Sequence, residues 1–293
     1  MDVPSIYRAY AKINLYLDVL RKRRDGYHNI ETVFQSVDLA DELTFAAEPH
    51  LISLECSDPD LDAGDLNLVV RAAKLLRERS GCASGARIRL TKRIPVAAGL
   101  AGGSADAAAA LIALNTLWGL DWPLARLQPL ARELGADVAF CTMGGTVAAT
   151  GRGDDLRPLD ALPRTWFLLL HPEVAISTAR VYNSPLLGSN SERLFAGKTA
   201  SFRRALGALA AGDLSAAVFN RMESAVFPEH PRLAAAKRRL LEAGCAAAAM
   251  SGSGSTIFGI CESREQAAHI ADAFKDYRTS IVATVPAGVE RFQ

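Results

Sequence analysis

The sequence carries almost no net charge. Lys plus Arg total 33 and Asp plus Glu total 32 over 293 residues. That balance gives no electrostatic reason to expect nucleic acid or an anionic membrane as partner. No apolar run reaches the length that spans a bilayer, and the N-terminus lacks the pattern of a signal peptide. Cysteine is sparse. Cys56, Cys82, Cys141, Cys245 and Cys261 are scattered, odd in number and never spaced Cys-x-x-Cys. This excludes a disulfide framework or a zinc site and predicts reduced thiols in a cytoplasmic protein. There is no internal repeat and no low-complexity segment beyond short alanine runs. The pattern Gly-x-x-x-x-Gly-Lys-Ser/Thr is missing, which argues against a P-loop NTPase. Gly252 and Gly254 lack the third glycine of a dinucleotide fingerprint, which argues against a Rossmann oxidoreductase.

What is present is a globular balance, 49% hydrophobic and 22% charged, in a chain long for one core and comfortable for two. A turn at 159–163 before the apolar strand 166–171 predicts a boundary between residues 1–160 and 161–293. The most conspicuous stretch is 95–111, a glycine-rich loop running into an alanine-rich helix. Gly99, Gly102 and Gly103 let backbone N–H groups approach a ligand, and Ser104 is a candidate N-cap. The stretch reads either as an anion site at a helix N-terminus or as a flexible loop before a buried helix. Ala97, Ala98 and Ala101 are expected at negative φ.

Residues 8–19 alternate strictly, predicting a half-buried strand. Its polar face carries Arg8, Tyr10, Lys12, Asn14, Tyr16 and Asp18 and is either solvated or a ligand surface. Asp25-Gly26 predicts a hairpin turn, followed by Tyr27, His28 and a strand at 30–37. Short strands are expected at 43–45 and 52–56 and a helix at 67–79, with Asn67 either its cap or an adenine contact. A strand at 88–94 places Lys92 in phase with apolar neighbours just before the glycine loop, so it must reach water or a bound nucleotide. Pro123 opens a helix that Pro129 is expected to kink or break. Asp137 is a carboxylate in an apolar stretch and must be paired, hydrogen-bonded or functional. Helices are expected at 177–182, 202–211, 214–220, 230–242 and 264–277, and a mobile loop at 188–198. A second Gly/Ser loop, 251–255, lies between strands 246–250 and 256–260, and a last strand is expected at 281–285.

Pro95 to Ala105 resembles the Pro-x-x-x-Gly-Leu-x-x-Ser-Ala motif of the GHMP small-molecule kinases. Residues 135–140 resemble their catalytic-aspartate segment, and 250–258 their C-terminal glycine motif. Ala11-Lys12-Ile13-Asn14-Leu15, Asp25-Gly26-Tyr27-His28 and Glu31-Thr32-Val33-Phe34-Gln35 resemble the members of that family that phosphorylate the 2-hydroxyl of a cytidine-diphosphate-linked methylerythritol, in the non-mevalonate route to isoprenoids. The resemblance implies an α/β (α+β), two-domain fold with the active site in the cleft. It implies ATP and Mg²⁺ as cofactors, a small-molecule partner, and a monomer or homodimer. Asp137 would be the general base and Lys12 its partner, offsetting charge that develops in the transition state. Pro95, Val96, Ala97, Ala98, Gly99, Leu100, Ala101, Gly102, Gly103, Ser104 and Ala105 would wrap the phosphates, with Ser104 near the metal. Asn67, Leu68 and Lys92 would meet the nucleotide. Tyr27 and Tyr182 would stack on cytosine, His28 would bond its edge, and Asn14 and Phe34 would line the rest of the pocket. The chain departs from the family at the three loop alanines and at Ala139, which stands where proline is usual. Asp106 would repel a phosphate and is expected to face a metal, solvent or a donor. The competing readings are a GHMP kinase for another alcohol and a non-catalytic nucleotide-binding regulator. The Asp-Gly-Tyr-His segment argues against the first, and the presence of both Lys12 and Asp137 against the second.

Overall fold

The computed structural model describes residues 5–292. The first half runs β1 (Ser5–Lys22), β2 (His28–Glu48), β3 (Ile52–Cys56), α1 (Leu68–Ser80), β4 (Gly85–Thr91), α2 (Gly102–Leu117), α3 (Leu124–Leu134), α4 (Ala136–Met143), β5 (Thr146–Thr150) and β6 (Asp155–Pro158). The second half runs β7 (Trp166–His171), α5 (Thr178–Tyr182), α6 (Ala200–Ala210), α7 (Leu214–Ala217), β8 (Phe219–Asn220), α8 (Glu223–Val226), α9 (Pro231–Glu242), β9 (Ala248–Met250), β10 (Ile257–Cys261), α10 (Arg264–Ala271), β11 (Arg278–Ala283) and β12 (Val289–Arg291).

Among the described residues the strands form two sheets. One has the order β12-β1-β2-β4-β3, with β5 on β2, β6 on β5 and β8 on β1; the other has the order β11-β7-β10-β9. Side-chain parity stacks them. In β7, Leu168 and Leu170 join the core beneath α9 and α10, while Phe167 and Leu169 join a core shared with Ala11, Ile13 and Leu15 of the first sheet. The opposite face of the first sheet packs on α1 to α4. The layers are therefore helix, sheet, sheet, helix, and β7 is apolar from Trp166 to Leu170 because both its faces are covered.

β1 is not half-buried. Its pairing with β2 slips at Tyr10/Ala11 and again between Asn14 and Tyr16. Such bulges re-aim side chains and break strict alternation. The second slip puts Tyr16 in the inter-sheet core with Ile13 and Leu15, and Leu17 in place of Tyr16 beside the cleft. Both faces are buried, so the two-fold pattern reports two different cores instead of core and solvent.

Other expectations change for local reasons. Residues 43–45 continue β2, which stays paired with β4 through Glu48. Pro129 leaves α3 unbroken because it lies on the exposed face of that helix. The helix expected at 214–220 ends at Ala217, and Phe219–Asn220 pair in parallel with Tyr16 and Leu17. The helix expected to reach 277 ends at Ala271 and tightens into a 3₁₀ turn, Asp272–Phe274. The 188–198 segment holds one short bridge, Phe195 with Lys198, and is anchored at both ends. The Asn190 N–H donates to the Val19 carbonyl at 2.8 Å and its amide to Asp18 at 2.7 Å, while the Thr199 N–H and hydroxyl donate to Glu31 at 2.8 and 2.5 Å.

The last strand, not expected from the sequence, reaches the first sheet through Gly288. A Cβ there would lie 1.9 Å from the Cys141 carbonyl oxygen. Gly288→Ala is expected to destabilise the protein by roughly 1–3 kcal/mol through overpacking. An unchanged urea midpoint would show that β12 can dock without this close approach.

Candidate active site

Lys12 sits mid-strand with 3% of its surface exposed. A buried ammonium needs acceptors. Its Nζ donates to Asn14 Oδ1 at 2.8 Å and to the Gly99 carbonyl at 3.0 Å. An ammonium has three donors, so one remains. Asp137 Oδ2 lies 4.0 Å away, and the Phe34 ring lies 5.6 Å below. The second glycine loop closes over this group. A Cβ on Gly252 would come within 3.4 Å of Lys12 Nζ and 3.2 Å of the Gly99 carbonyl. Gly252 also has φ 57°, so glycine suits it on both counts. Ser251 Oγ donates to the Gly99 carbonyl at 2.9 Å, and the Thr256 N–H to the Ala98 carbonyl at 3.2 Å, which ties the two loops together.

Asp137 opens α4. Its side chain is 40% exposed, facing the cleft, and a carboxylate in a helix's first turn is favoured by the macrodipole. Ala139, where the family has proline, uses its N–H within this turn, donating to the Gly135 carbonyl at 3.3 Å.

In the first glycine loop, Ala97 has φ 53° and Ala101 φ 58°, against the expected negative values. Alanine is strained there, so surrounding contacts must hold the loop. Ala101, not Ser104, is the N-cap of α2, with no side-chain cap bond. This moves the cap three residues earlier and places Ser104 in the first turn. Pro95 to Gly99 and Ala101 to Ser104 line a cavity of about 550 Å³, together with Lys12, Asn14, Asn67, Leu68, Lys92, Asp106 and Asp137. Leu100 and Ala105 are buried behind the loop and outside the lining. Their backbones serve the fold: the Leu100 carbonyl accepts from the Lys12 N–H at 3.1 Å, and the Ala105 N–H donates to the Ala101 carbonyl at 2.9 Å.

Asn67 is the cap of α1. Its Oδ1 accepts from the Val69 N–H at 2.9 Å, and its Nδ2 donates to the Asp62 carbonyl at 2.7 Å. Lys92 lines the cavity and does not snorkel to water, its side chain being only 7% exposed. It bonds Asp106 at 2.8 Å and also Asp41. Asp41 accepts in turn from the N–H groups of Arg93 and Ile94 at 2.5 and 2.9 Å. Asp106 thus faces a donor, yet its Oδ1 is buried without a partner. Burial, then the neighbouring Asp41 charge, pushes the Asp106 carboxyl well above the usual carboxylate range despite Lys92.

A second cavity of about 480 Å³ holds Tyr27, His28, Arg152, Gly153 and Asn183 and shares Ile30, Phe34, Ser104, Asp137 and Tyr182 with the first. Tyr27 is 57% exposed, with the Arg152 guanidinium 4.7 Å over its ring. His28 stacks on Tyr182, centroids 5.3 Å apart and planes 16° apart. Burial, then the Lys22 charge, holds the His28 imidazole below its ordinary pKa. Phe34 packs on Phe140 at 4.8 Å.

The GHMP kinases N terminal domain model matches residues 67–145, and the GHMP kinases C terminal model matches 192–278. A 4-diphosphocytidyl-2-C-methyl-D-erythritol kinase of Pelotomaculum thermopropionicum is 45% identical over 277 residues, 94% of this chain and 96% of the relative. One from Enterococcus faecalis is 41% identical, over 93% of this chain and 95% of its own length.

The chain belongs to the 4-diphosphocytidyl-2-C-methyl-D-erythritol kinase family.

A crystal structure of a 4-(cytidine 5'-diphospho)-2C-methyl-D-erythritol kinase superposes with TM-score 0.79 at 36% identity, covering 95% of this chain and 98% of that one. A homoserine kinase from Cytophaga hutchinsonii, at TM-score 0.76 and 23% identity over 100% of this chain and 98% of its own, shares the fold. The chain thus has the GHMP kinase fold and is an ATP-dependent small-molecule kinase. Among the described residues no helix is long and apolar enough to cross a membrane. Sequence reasoning missed Asp41 and Arg152. Neither lies in a recognisable motif, and only the tertiary fold brings Asp41 to Lys92 and Arg152 to the second cavity.

An acid whose folded pKa is raised keeps its proton in the native state while the unfolded chain loses it. The stability it contributes is present below the unfolded value, near pH 4, and is lost as pH rises through the folded value. Asp106→Asn, neutral throughout, is therefore expected to flatten the decline in urea midpoint from about pH 5 to pH 8. A wild-type and variant pair with parallel profiles would contradict the assignment.

Proposed function

We propose that the chain transfers the γ-phosphoryl group of ATP to the 2-hydroxyl of 4-diphosphocytidyl-2-C-methyl-D-erythritol, giving the 2-phosphate and ADP. The observation that carries this reading is that two cavities meet at Asp137, one walled by the glycine loop and one by aromatic side chains. A transferase needs this layout, with donor and acceptor approaching one carboxylate from opposite sides.

Asp137 accepts the proton of the attacking hydroxyl as its oxygen bonds to the γ-phosphorus. The free donor of Lys12 faces the same point and offsets negative charge on the transferring oxygens. The loop from Pro95 to Ser104, at the N-terminus of α2, receives the phosphates. Lys92 and Leu68 line the nucleotide end, and Asn67 shapes it as the cap of α1. Tyr27 and Tyr182 stack on cytosine, with His28 bonding its edge. Because His28 and Tyr182 stack on each other in this structure, the base enters by displacing one of them. Asn14 and Phe34 complete the acceptor side.

Mg²⁺ fits the donors present. Ser104 and Asp106 line the phosphate end of the cavity and offer hard oxygens, and Asp106 Oδ1 is buried without a partner. Among the described residues no group of three or more acidic, His or Cys side chains is placed to hold a metal ion. Mg²⁺ suits such a site because it takes one or two protein oxygens plus substrate phosphates. Bound there, the ion would neutralise charge on the phosphates. We take residues 1–160 and 161–293 as the two domains, with β8 and β12 returned by the second to the first sheet. The five unpaired thiols support a cytoplasmic setting.

Substrate-dependent ADP release tests the reaction. Stimulation by the cytidylyl substrate is expected, and stimulation by a different alcohol alone would sink the substrate assignment. Asp137→Asn should lower kcat by about 10²–10⁴-fold in a folded protein. Near wild-type turnover would show that Asp137 is not the base. Tyr27→Ala should raise KM for the cytidylyl substrate much more than KM for ATP, and equal effects would count against cytosine stacking.

A further inference from the structure

We infer that Thr32 is a positioning residue that fixes the direction of the Asn14 amide and, through it, the aim of Lys12. The inference rests on the kinase reading above and concerns a residue outside its contact set. Thr32 is fully buried on β2 and absent from both cavity linings.

Three hydrogen bonds run in series. The Thr32 hydroxyl donates to the Tyr16 carbonyl at 2.6 Å, Asn14 Nδ2 donates to the Thr32 oxygen at 2.8 Å, and Lys12 Nζ donates to Asn14 Oδ1 at 2.8 Å. Their polarity is dictated from one end. A backbone carbonyl can only accept, so the single hydroxyl proton of Thr32 is committed to Tyr16. The Thr32 oxygen can then only accept, which turns the Asn14 amide nitrogen towards it. The amide oxygen is left facing Lys12. With the amide reversed, two N–H donors would face an ammonium, and a carbonyl would face an oxygen that has no proton to give. Lys12 and Asn14 are both at least 97% buried, so either fault would leave mispaired polar groups in a largely desolvated setting at the cavity wall. Lys12 would keep the Gly99 carbonyl as its sole fixed acceptor, and its third donor would no longer be held towards Asp137.

The β-bulge makes the series possible. The slip between Asn14 and Tyr16 leaves Leu15 without a partner on β2, brings Val33 opposite Tyr16 and Phe34 opposite Asn14, and sets Thr32 across from Leu17. Thr32 can then reach the Tyr16 carbonyl and the Asn14 side chain together.

The test uses the full-length enzyme and whichever alcohol the wild type phosphorylates, so failure of the substrate assignment is read first and separately. Thr32→Val keeps the shape and removes the hydroxyl; Thr32→Ser keeps the hydroxyl and removes the methyl. For Thr32→Val we expect kcat to fall ~10-fold or more, the scale of a misaimed catalytic group, with both KM values within ~3-fold. Thr32→Ser should recover to within ~3-fold of wild type. In an Asn14→Ala background, Thr32→Val should cost little more, because its effect passes through Asn14. If Thr32→Val does not fold, Thr32→Cys, with its weaker donor and acceptor, takes its place with the same expectation. Wild-type kcat in the hydroxyl-free variant, a loss that Ser shares, or full additivity with Asn14→Ala would each overturn the inference.

Discussion

A buried ammonium cannot be left without acceptors, and Lys12 imposes that demand on three parts of the chain at once. Asn14 must turn its oxygen inward from the same strand. The first glycine loop must present the Gly99 carbonyl. The second loop must be thin enough at Gly252 to cover the charge without filling its space. The energy at stake is large compared with the net stability of a domain, so these elements are set together. The same demand leaves Asp137 at 4.0 Å, close enough to feel the charge and far enough to remain open to the cleft.

The two cavities divide the chemistry. One is walled by backbone at a helix N-terminus, which suits anions and needs few specific side chains. The other is walled by Tyr27, His28, Phe34 and Tyr182, which suits a flat heteroaromatic base. The Asp41–Lys92–Asp106 group stands at the edge of the first. It couples β2, the turn after β4 and α2, so the start of the phosphate loop is held by charge as well as by packing.

Much of this was legible in the residues. Alternation located β1, the Asp25-Gly26 turn led into the strand expected at 30–37 within β2, and the apolar run at 166–171 read as a buried strand. Lys12 and the glycine loop line one cavity, Tyr27 and His28 line a second, and Asp137 lines both. Elements that depend on distant partners were not legible. Phe219–Asn220 became a strand because β1 offered an edge, overriding a helical pattern of marginal length. The bulges in β1 have no local signature, since they are defined by its register with β2. The alanines at positive φ defied a local rule because the loop is held from outside, by Ser251 and Thr256 across the cleft. The two carboxylates that hold Lys92, Asp41 and Asp106, were not legible as its partners, because only the tertiary fold brings them to it.

Those ties across the cleft also say where it can open. Ser251 and Thr256 bind the Ala98–Gly99 backbone, and Asn220, beside β1, donates to the Met250 and Gly252 carbonyls at 2.6 and 2.8 Å. That end of the active site is a seam, stitched by directional bonds between the two sheets. The far end is closed mainly by the flat contact of His28 with Tyr182, two rings that can slide or part without leaving a donor or acceptor orphaned. The molecule is built like a clasp with a sewn hinge and an aromatic catch. Parting the two rings breaks no hydrogen bond between them, whereas parting the seam breaks four.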